Sequence, residues 1–226
     1  MDIKITAELA VAVAAELYQR LKRGGNFSFP TGRTMDPVYE RLVALHKANP
    51  LNPNKVHAFM VDEYEGLQVD DPRSYTVYLA ERVFKPLGIQ QVHSVLAPHY
   101  DETIRSLGGM DLQLLGLGLN GHIAFNEPGS LRESRTRRVE IAEATRVSNA
   151  SLFNSLSEVP THAISMGIAT ILDAKEVWVL ASGSSKAEIV KQLVATKNDV
   201  QLPASHLQGH ANCTLWLDAQ SAKLLN

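Results

Sequence analysis

Four short segments of the chain combine polar residue types that can bind an anion or move protons. They are Thr31-Gly-Arg-Thr34, Asp62-Glu-Tyr64, residues 120–127 and Ser182-Gly-Ser-Ser-Lys186. Each follows an apolar run that is typical of a β-strand. Because ligands bind beyond the carboxyl ends of the strands in open parallel sheets, we expect these segments to converge.

The first and last segments have the composition of phosphate-binding turns. They combine small residues and hydroxyls with a cation, Arg33 or Lys186, directly before a helical pattern whose free N–H groups favour an anion. Neither matches the full P-loop motif, which argues against a nucleotide ligand. Either turn alone is more often an ordinary helix entry, but two of them at strand ends favour phosphate.

The Asp62-Glu63 pair is a candidate general base. It follows the apolar residues 59–61, so we expect at least one carboxylate at a crevice floor, where desolvation raises its pKa. Such a group could accept a carbon-bound proton. An isolated Asp-Glu pair is more commonly a solvated acid or a helix cap, and this alternative stays open.

His122 and Glu127 lie five positions apart after a glycine-rich strand end, with the amides of Asn120 and Asn126 nearby. A histidine oriented by a carboxylate is a common proton shuttle. The spacing fits neither the helical zinc pattern nor a calcium loop, and no serine or cysteine nucleophile motif is present. We therefore expect neither a metal ion nor a cofactor.

Strand and helix patterns alternate along the chain. Strands are predicted at residues 26–30, 56–61, 112–118, 176–181 and 213–217, and helices at residues 6–23, 36–45, 165–174, 187–193 and briefly at the C-terminus. This alternation predicts the α/β class, a three-layer α/β/α sandwich with a mainly parallel sheet. No linker or repeat interrupts it, so we expect residues 1–226 to form a single domain.

Composition narrows the class of protein further. The chain has 226 residues, of which 45% are hydrophobic and 20% are charged, and its formal net charge is −2. These values suit a globular protein with a sizeable core and disfavour binding to nucleic acid. The single Cys213, the absence of a signal-peptide pattern and the short apolar runs predict a cytoplasmic protein without a membrane span.

Three motifs together resemble the glucosamine/galactosamine-6-phosphate isomerase family, and glucosamine-6-phosphate deaminases in particular. They are Asp62-Glu-Tyr-Glu-Gly-Leu67, Gly116-Leu-Gly-Leu-Asn-Gly-His-Ile-Ala-Phe-Asn-Glu-Pro128 and Ser134-Arg-Thr-Arg137. The resemblance implies a fold shared with ribose-5-phosphate isomerase and coenzyme A transferases. It also implies a reaction in which an amino-sugar phosphate ring opens, a proton moves from C2 to C1, and ammonia leaves a ketohexose 6-phosphate.

The resemblance also implies roles for individual residues. Asp62 would remove the C2 proton, His122 would mediate ring opening, and Glu127 would orient His122 or relay protons to it. Asn120 occupies a position where some family members have aspartate, so here that position cannot ionise. Charge on His122 would then depend more on Glu127.

For the sugar phosphate, the resemblance implies a site formed by Lys186 and by backbone N–H groups of Thr31, Gly32, Arg33 and Thr34. Arg33 departs from the family pattern, which has glycine or serine there. The downstream position that usually supplies a phosphate-binding arginine has Ser151 or its neighbours instead. Our hypothesis is that Arg33 replaces that cation, because a guanidinium binds phosphate in a bidentate manner.

Other functions fit parts of the same pattern. The substrate could be galactosamine 6-phosphate, the enzyme could be a 6-phosphogluconolactonase, or the chain could be a non-catalytic sugar-phosphate sensor. The chain ends soon after Asp218 and has Val139 where the allosteric hexameric members have lysine. We therefore expect a monomer or homodimer, with little activation by N-acetylglucosamine 6-phosphate.

Overall fold

The chain folds around a mainly parallel β-sheet, and the computed structural model describes residues 1–68 and 70–225. The strands are β1 (Asp2–Ile5), β2 (Gly25–Phe29), β3 (Val56–Met60), β4 (Asp62–Tyr64), β5 (Gln91–His93), β6 (Gln113–Gly116), β7 (Arg137–Glu140), β8 (His162–Ser165), β9 (Val177–Ala181) and β10 (Cys213–Leu217). The α-helices are α1 (Leu9–Arg23), α2 (Asp36–Ala48), α3 (Tyr75–Leu79), α4 (Lys85–Leu87), α5 (Tyr100–Ser106), α6 (Glu143–Asn149), α7 (Ile168–Leu172) and α8 (Ala187–Ala195). A π-helix, Ala80–Phe84, joins α3 to α4.

The parallel strands form two ladders that meet between β6 and β2. One ladder has the order β1-β10-β9-β6 and the other the order β2-β3-β5. A parallel bridge between Phe27 and Leu112 joins them, and the buried Ser28 adds a hydrogen bond from Leu114 N to its Oγ at 2.8 Å. The predicted α/β class with a mainly parallel sheet is thus confirmed.

The order of the strands places the helices on two faces of this sheet. The path β1, β2, β3, β5 advances towards one edge of the sheet, whereas β6, β9, β10 advances towards the other. Because parallel crossovers are right-handed, the helices of the two paths cover opposite faces. The connections that leave β2 and β6 therefore run to opposite sides, and a crevice opens between them at the carboxyl ends of these two parallel strands.

A small antiparallel sheet, with the order β4-β8-β7, stands apart from the parallel one. Asp62 of β4 and Arg137 of β7 are both paired with Ser165 of β8. The sequence does not predict this sheet, because its strands have only three or four residues each. Asp62, which the sequence places directly after a strand, is therefore itself the first residue of a strand, β4.

The core is continuous because the central strands are covered on both faces. All five residues of β9 are buried, as are the last four of β2. Helix α1 buries a stripe that includes Leu9, Val13, Leu17 and Leu21. It ends at Gly24, where φ is +84° and a Cβ would lie 2.7 Å from the Cβ of Lys55, so a larger residue would not fit.

Three predicted elements need correction. Helix α1 begins at Leu9, not at residue 6, because Thr6 N is hydrogen-bonded to Leu217 O in continuation of the β1–β10 ladder. Ser165 belongs to β8, and only Ile168–Leu172 of the predicted helix at residues 165–174 is α-helical. The C-terminal residues 219–224 form hydrogen-bonded turns in place of the predicted helix.

In the two described stretches of the chain, no helix has both the length and the apolar character that crossing a bilayer requires.

Replacing Ser28 tests the junction between the two ladders. Ser28→Ala leaves the buried N–H of Leu114 without its acceptor, so we expect the free energy of unfolding to fall by about 1–3 kcal/mol in urea titrations. The exposed Ser106 bonds only within its own helix, to Thr103 O, and Ser106→Ala should change stability by less than about 0.5 kcal/mol. Equal stability of the two variants would contradict a role for Ser28 at the junction.

Candidate active site

The turn that follows β6 is shaped by close contacts at two glycines. A Cβ at Gly118 would lie 2.4 Å from the imidazole ring of His122, so the ring packs directly on that backbone. Gly121 has a φ of +81°, and a Cβ there would lie 2.1 Å from Cδ1 of Leu202. Gly118 N also donates to His122 O at 2.9 Å, which closes the turn. The glycine-rich sequence is therefore required to place His122.

Asn120, His122 and Glu127 come together in this turn. Asn120 Nδ2 donates to Glu127 Oε2 at 2.7 Å, and Asn120 Oδ1 accepts from His122 N at 3.2 Å. His122 Nδ1 lies 3.5 Å from the same Glu127 oxygen. The imidazole thus faces a carboxylate through Nδ1, which leaves Nε2 as the nitrogen available to a ligand.

Glu127 receives a further hydrogen bond that the sequence does not predict. Thr145, on α6, donates from Oγ1 to Glu127 Oε1 at 2.6 Å. Burial of the Glu127 carboxyl favours a higher pKa, but the contacts with His122, Thr145 and Asn120 outweigh it and lower the pKa. Glu127 is therefore held in its charged form beside His122.

Asp62 has the opposite electrostatic environment. Its side chain is buried, and this burial together with the charge of the adjacent Glu63 raises its pKa to about 8. The apolar residues 59–61 before this pair predict such a shift for at least one of its carboxylates. A carboxylate with this pKa is a stronger base than an exposed aspartate.

Glu63 takes the alternative role that the sequence leaves open, that of a helix cap. Its carboxylate accepts hydrogen bonds from the backbone N–H groups of Tyr64, Tyr75 and Thr76 at 2.8, 3.0 and 2.7 Å. Thr76 Oγ1 adds a fourth bond at 2.7 Å. Because Tyr75 and Thr76 open α3, Glu63 fixes this helix to β4, and Asp62 is left as the candidate base.

Ser165 connects the strand of Asp62 to the turn of His122. It is paired with Asp62 across the small sheet, and its Oγ accepts a hydrogen bond from Phe125 N at 3.0 Å. The rings of Phe125 and Tyr64 lie 5.7 Å apart, centroid to centroid. These contacts bring the two predicted segments to one region of the protein.

Lys186 is anchored to the same turn. Its Nζ donates to Leu117 O at 2.6 Å, which connects the segment after β9 to the segment after β6. Burial lowers the pKa of the Lys186 ammonium. This removal from water strengthens its attraction for an anion in the crevice.

The turn after β2 completes the edge of the crevice. Tyr39 donates its hydroxyl to Pro30 O at 2.6 Å, and Met35 N donates to Gly32 O at 2.8 Å, which fixes both ends of the turn. Gly32 has a φ of +120°. Thr31 and Thr34 are half-buried, whereas the side chain of Arg33 is exposed to solvent. Of the predicted site residues, Arg33 is therefore the one that the surrounding structure holds least.

No group of three or more histidine, cysteine, aspartate or glutamate side chains suited to a metal ion occurs within residues 1–68 and 70–225. The arrangement offers a buried base, a histidine backed by a carboxylate, and an ammonium group at the adjoining strand end. Together these groups can bind an anionic substrate and transfer protons within it.

Comparison with known proteins shows how this site is related to others. Residues 3–216 match the family of glucosamine-6-phosphate isomerases and 6-phosphogluconolactonases. The chain belongs to this family. The resemblance noted from the three sequence motifs is thus confirmed.

Within this family, the chain is similar to glucosamine-6-phosphate deaminases over nearly its full length. The chain is 43% identical to a glucosamine-6-phosphate deaminase of Rhodopirellula baltica, over 92% of this chain and 87% of that protein. It is 38% identical to one of Halalkalibacterium halodurans, over 98% of this chain and 95% of that protein.

Solved structures agree with this relationship. A monomeric glucosamine-6-phosphate deaminase superposes with a TM-score of 0.94 at 36% identity and covers 99% of this chain and 100% of its own. A 6-phosphogluconolactonase from Trypanosoma brucei has a TM-score of 0.80 at 22% identity, with 100% and 98% coverage. At this identity, the likeness to the lactonase shows a common fold.

The raised pKa of Asp62 predicts a pH-dependent cost of folding. The pKa of aspartate is about 4 in an unfolded chain and about 8 for Asp62 in the folded protein. Between these pH values the folded protein holds a proton that the unfolded chain lacks, so the free energy of unfolding falls as the pH rises. Asp62→Asn removes this titration. We expect the variant to equal the wild type near pH 4 and to become more stable towards pH 8, with a difference in slope of up to about 1.4 kcal/mol per pH unit.

Urea unfolding at several pH values measures this difference. Asp2→Asn, which changes an exposed carboxylate on β1, is the matched control and should retain the slope of the wild type. If Asp62→Asn also retained that slope, burial would not raise the pKa of Asp62.

Proposed function

We propose that this protein is a glucosamine-6-phosphate deaminase. It would open the sugar ring, move a proton from C2 to C1 and, with addition of water and loss of ammonia, yield fructose 6-phosphate. The observation that carries this proposal is the contact of Asn120 and His122 with Glu127, in a chain similar to deaminases over more than nine-tenths of its length.

Ring opening is assigned to His122. With Nδ1 facing Glu127, its Nε2 can donate a proton to the ring oxygen and take one from the C1 hydroxyl. Glu127 fixes the orientation of the imidazole during this exchange. Asn120 contributes through its amide, which holds Glu127 in place and has no proton to exchange.

Isomerisation is assigned to Asp62. Proton removal from C2 of the open-chain sugar needs a base that is desolvated and close to the carbon, and burial provides the first of these conditions. As C2 loses its proton, the C1 carbonyl oxygen gains the proton that the substrate's ammonium group gives up. Asp62 then returns the C2 proton to C1, so that C1 becomes a CH₂OH group and C2 an iminium carbon. Water adds to this iminium and ammonia leaves.

The substrate phosphate is assigned to Lys186 and to the backbone N–H groups of residues 31–34, with Arg33 as a second cation. Lys186 lies at the strand end next to the catalytic turn, which supports the first assignment. Arg33 is exposed and free to reorient towards an anion.

Two alanine variants separate the contributions of these cations. If both bind the phosphate, Lys186→Ala and Arg33→Ala should each raise KM for the sugar phosphate by about tenfold or more, because a charge-assisted hydrogen bond contributes about 1.5–3 kcal/mol. Steady-state kinetics at fixed ionic strength measures both. An unchanged KM in Arg33→Ala beside a strong increase in Lys186→Ala would refute the replacement of the missing arginine by Arg33.

Substrate turnover tests the proposed function itself. Release of ammonia and of ketohexose 6-phosphate should be measured in parallel from glucosamine 6-phosphate and galactosamine 6-phosphate, with 6-phosphogluconolactone as control. We expect equal amounts of both products from glucosamine 6-phosphate. Turnover of galactosamine 6-phosphate alone would reassign the preference at C4, hydrolysis of the lactone alone would make the protein a lactonase, and binding without turnover would favour a sensor.

We further propose that residues 1–226 act as one domain, in the cytoplasm, as a monomer or homodimer and without nucleic acid as a partner. The similarity to a deaminase described as monomeric supports this assembly state. By the family resemblance, Ser130 and Arg137 match part of the effector-phosphate region of the allosteric members. Here Arg137 donates internally to Asn126 Oδ1 at 2.9 Å and to Ser130 Oγ at 3.3 Å. These internal bonds favour little response to an effector.

A further inference from the structure

The carboxylate of Asp218 binds the turn that carries Lys186. Asp218 directly follows β10, and Ser182 and Gly183 directly follow the neighbouring strand β9. Asp218 Oδ2 accepts hydrogen bonds from Ser182 Oγ at 2.6 Å and from Gly183 N at 2.9 Å. One carboxylate thus connects the carboxyl ends of two adjacent parallel strands.

Asp218 is itself held firmly in place. Ser221, which is fully buried, donates from its backbone N–H to Asp218 Oδ1 at 2.7 Å and from its hydroxyl to Ala181 O at 2.9 Å. Burial favours a higher pKa for Asp218, but the hydrogen bonds from Ser182, Ser221 and Gly183 outweigh it and lower the pKa. Asp218 is therefore charged at neutral pH, and both of its oxygens are occupied by donors.

The turn that carries Lys186 is short and leads directly into α8, whose first residue Ala187 is buried. Gly183 has a φ of +89° and starts the 3-10 segment Ser184–Lys186, in which Lys186 N donates to Gly183 O at 3.1 Å. At the far end, Lys186 Nζ donates to Leu117 O. The position of the ammonium group thus depends on how the peptide between Ser182 and Gly183 is oriented, and Asp218 sets that orientation.

We propose that Asp218 is a positioning residue for the phosphate site, which fixes the turn so that Lys186 meets the substrate phosphate. This rests on the proposed function, which assigns the phosphate to Lys186. Asp218 does not bind the phosphate, because two like charges repel each other. It acts through the backbone of the turn, with Ser182 Oγ and Gly183 N as its contacts.

Asp218→Asn tests this role. The amide keeps the shape of the side chain but has one acceptor oxygen in place of two. Its NH₂ group must face the N–H of either Gly183 or Ser221, and it can pair with neither. We expect the Kd for inorganic phosphate, measured by calorimetry, and KM for glucosamine 6-phosphate to rise together by about tenfold or more, with kcat within about threefold of the wild type. Asp173→Asn, an exposed carboxylate paired with Arg135, is the matched control and should change none of these values.

Ser182→Ala is the second variant, in case Asp218→Asn does not fold. It removes one of the donors and keeps the bond from Gly183, so we expect a smaller rise in both Kd and KM. A fall in melting temperature with unchanged Kd and KM would overturn the proposal, because it would indicate a purely structural role. A fall in kcat at constant KM would also overturn it.

The two readouts separate this inference from the proposed function. If the wild type binds phosphate but turns over neither amino sugar, the proposed function fails, while the Kd values still decide the role of Asp218. A wild type that binds no phosphate would overturn the inference directly.

Discussion

The Glu127 carboxylate is the group on which the geometry of the candidate active site depends. A buried carboxylate needs donors for its oxygens, and here they come from Asn120 in the same turn and from Thr145 on α6. The remaining contact is with His122, whose ring lies directly over Gly118. Loss of any one of these contacts would leave a half-buried charge with fewer donors and would weaken the support of the histidine.

The site combines two carboxyl groups whose environments shift their pKa values in opposite directions. Asp62 is shielded from water and lies beside the acidic Glu63, so its pKa rises. Glu127 has enough hydrogen-bonding partners to lower its pKa despite its partial burial. Such a pair supports a division of roles, in which one group exchanges a proton with carbon and the other holds a charge beside an imidazole. Strands that follow β2 are added on one side of it, and strands that follow β6 are added on the other. This switch explains why the candidate site lies at the carboxyl ends of the strands.

Sequence predicts the central strands well because burial on both faces leaves a simple apolar run. Residues 213–217 coincide with β10, and residues 176–181 contain all of β9. The edge strand β1 escapes prediction because it has only four residues, all of them exposed, which is too short for the polar-apolar alternation of Asp2-Ile-Lys-Ile5 to be decisive. In the site, Asn120, His122 and Glu127 could be predicted as a group because they lie within eight residues of one another.

The supporting contacts could not be predicted in the same way. Thr145 lies 18 positions from Glu127, Ser165 lies 40 from Phe125 and Asp218 lies 36 from Ser182, and each contact arises only when separate elements pack together. None of these serine, threonine or aspartate residues has a local motif that distinguishes it from an ordinary turn or helix residue.

The role of Asp62 as the base is tested most directly by following the C2 proton in deuterated water with the wild type and with Asp62→Asn. If Asp62 is the base, the variant still binds glucosamine 6-phosphate, loses about 10²–10⁴-fold in kcat, and no longer exchanges the C2 proton with solvent, because an amide cannot accept it. Exchange at C2 that persists in Asp62→Asn would contradict the central claim, since another group would then be the base.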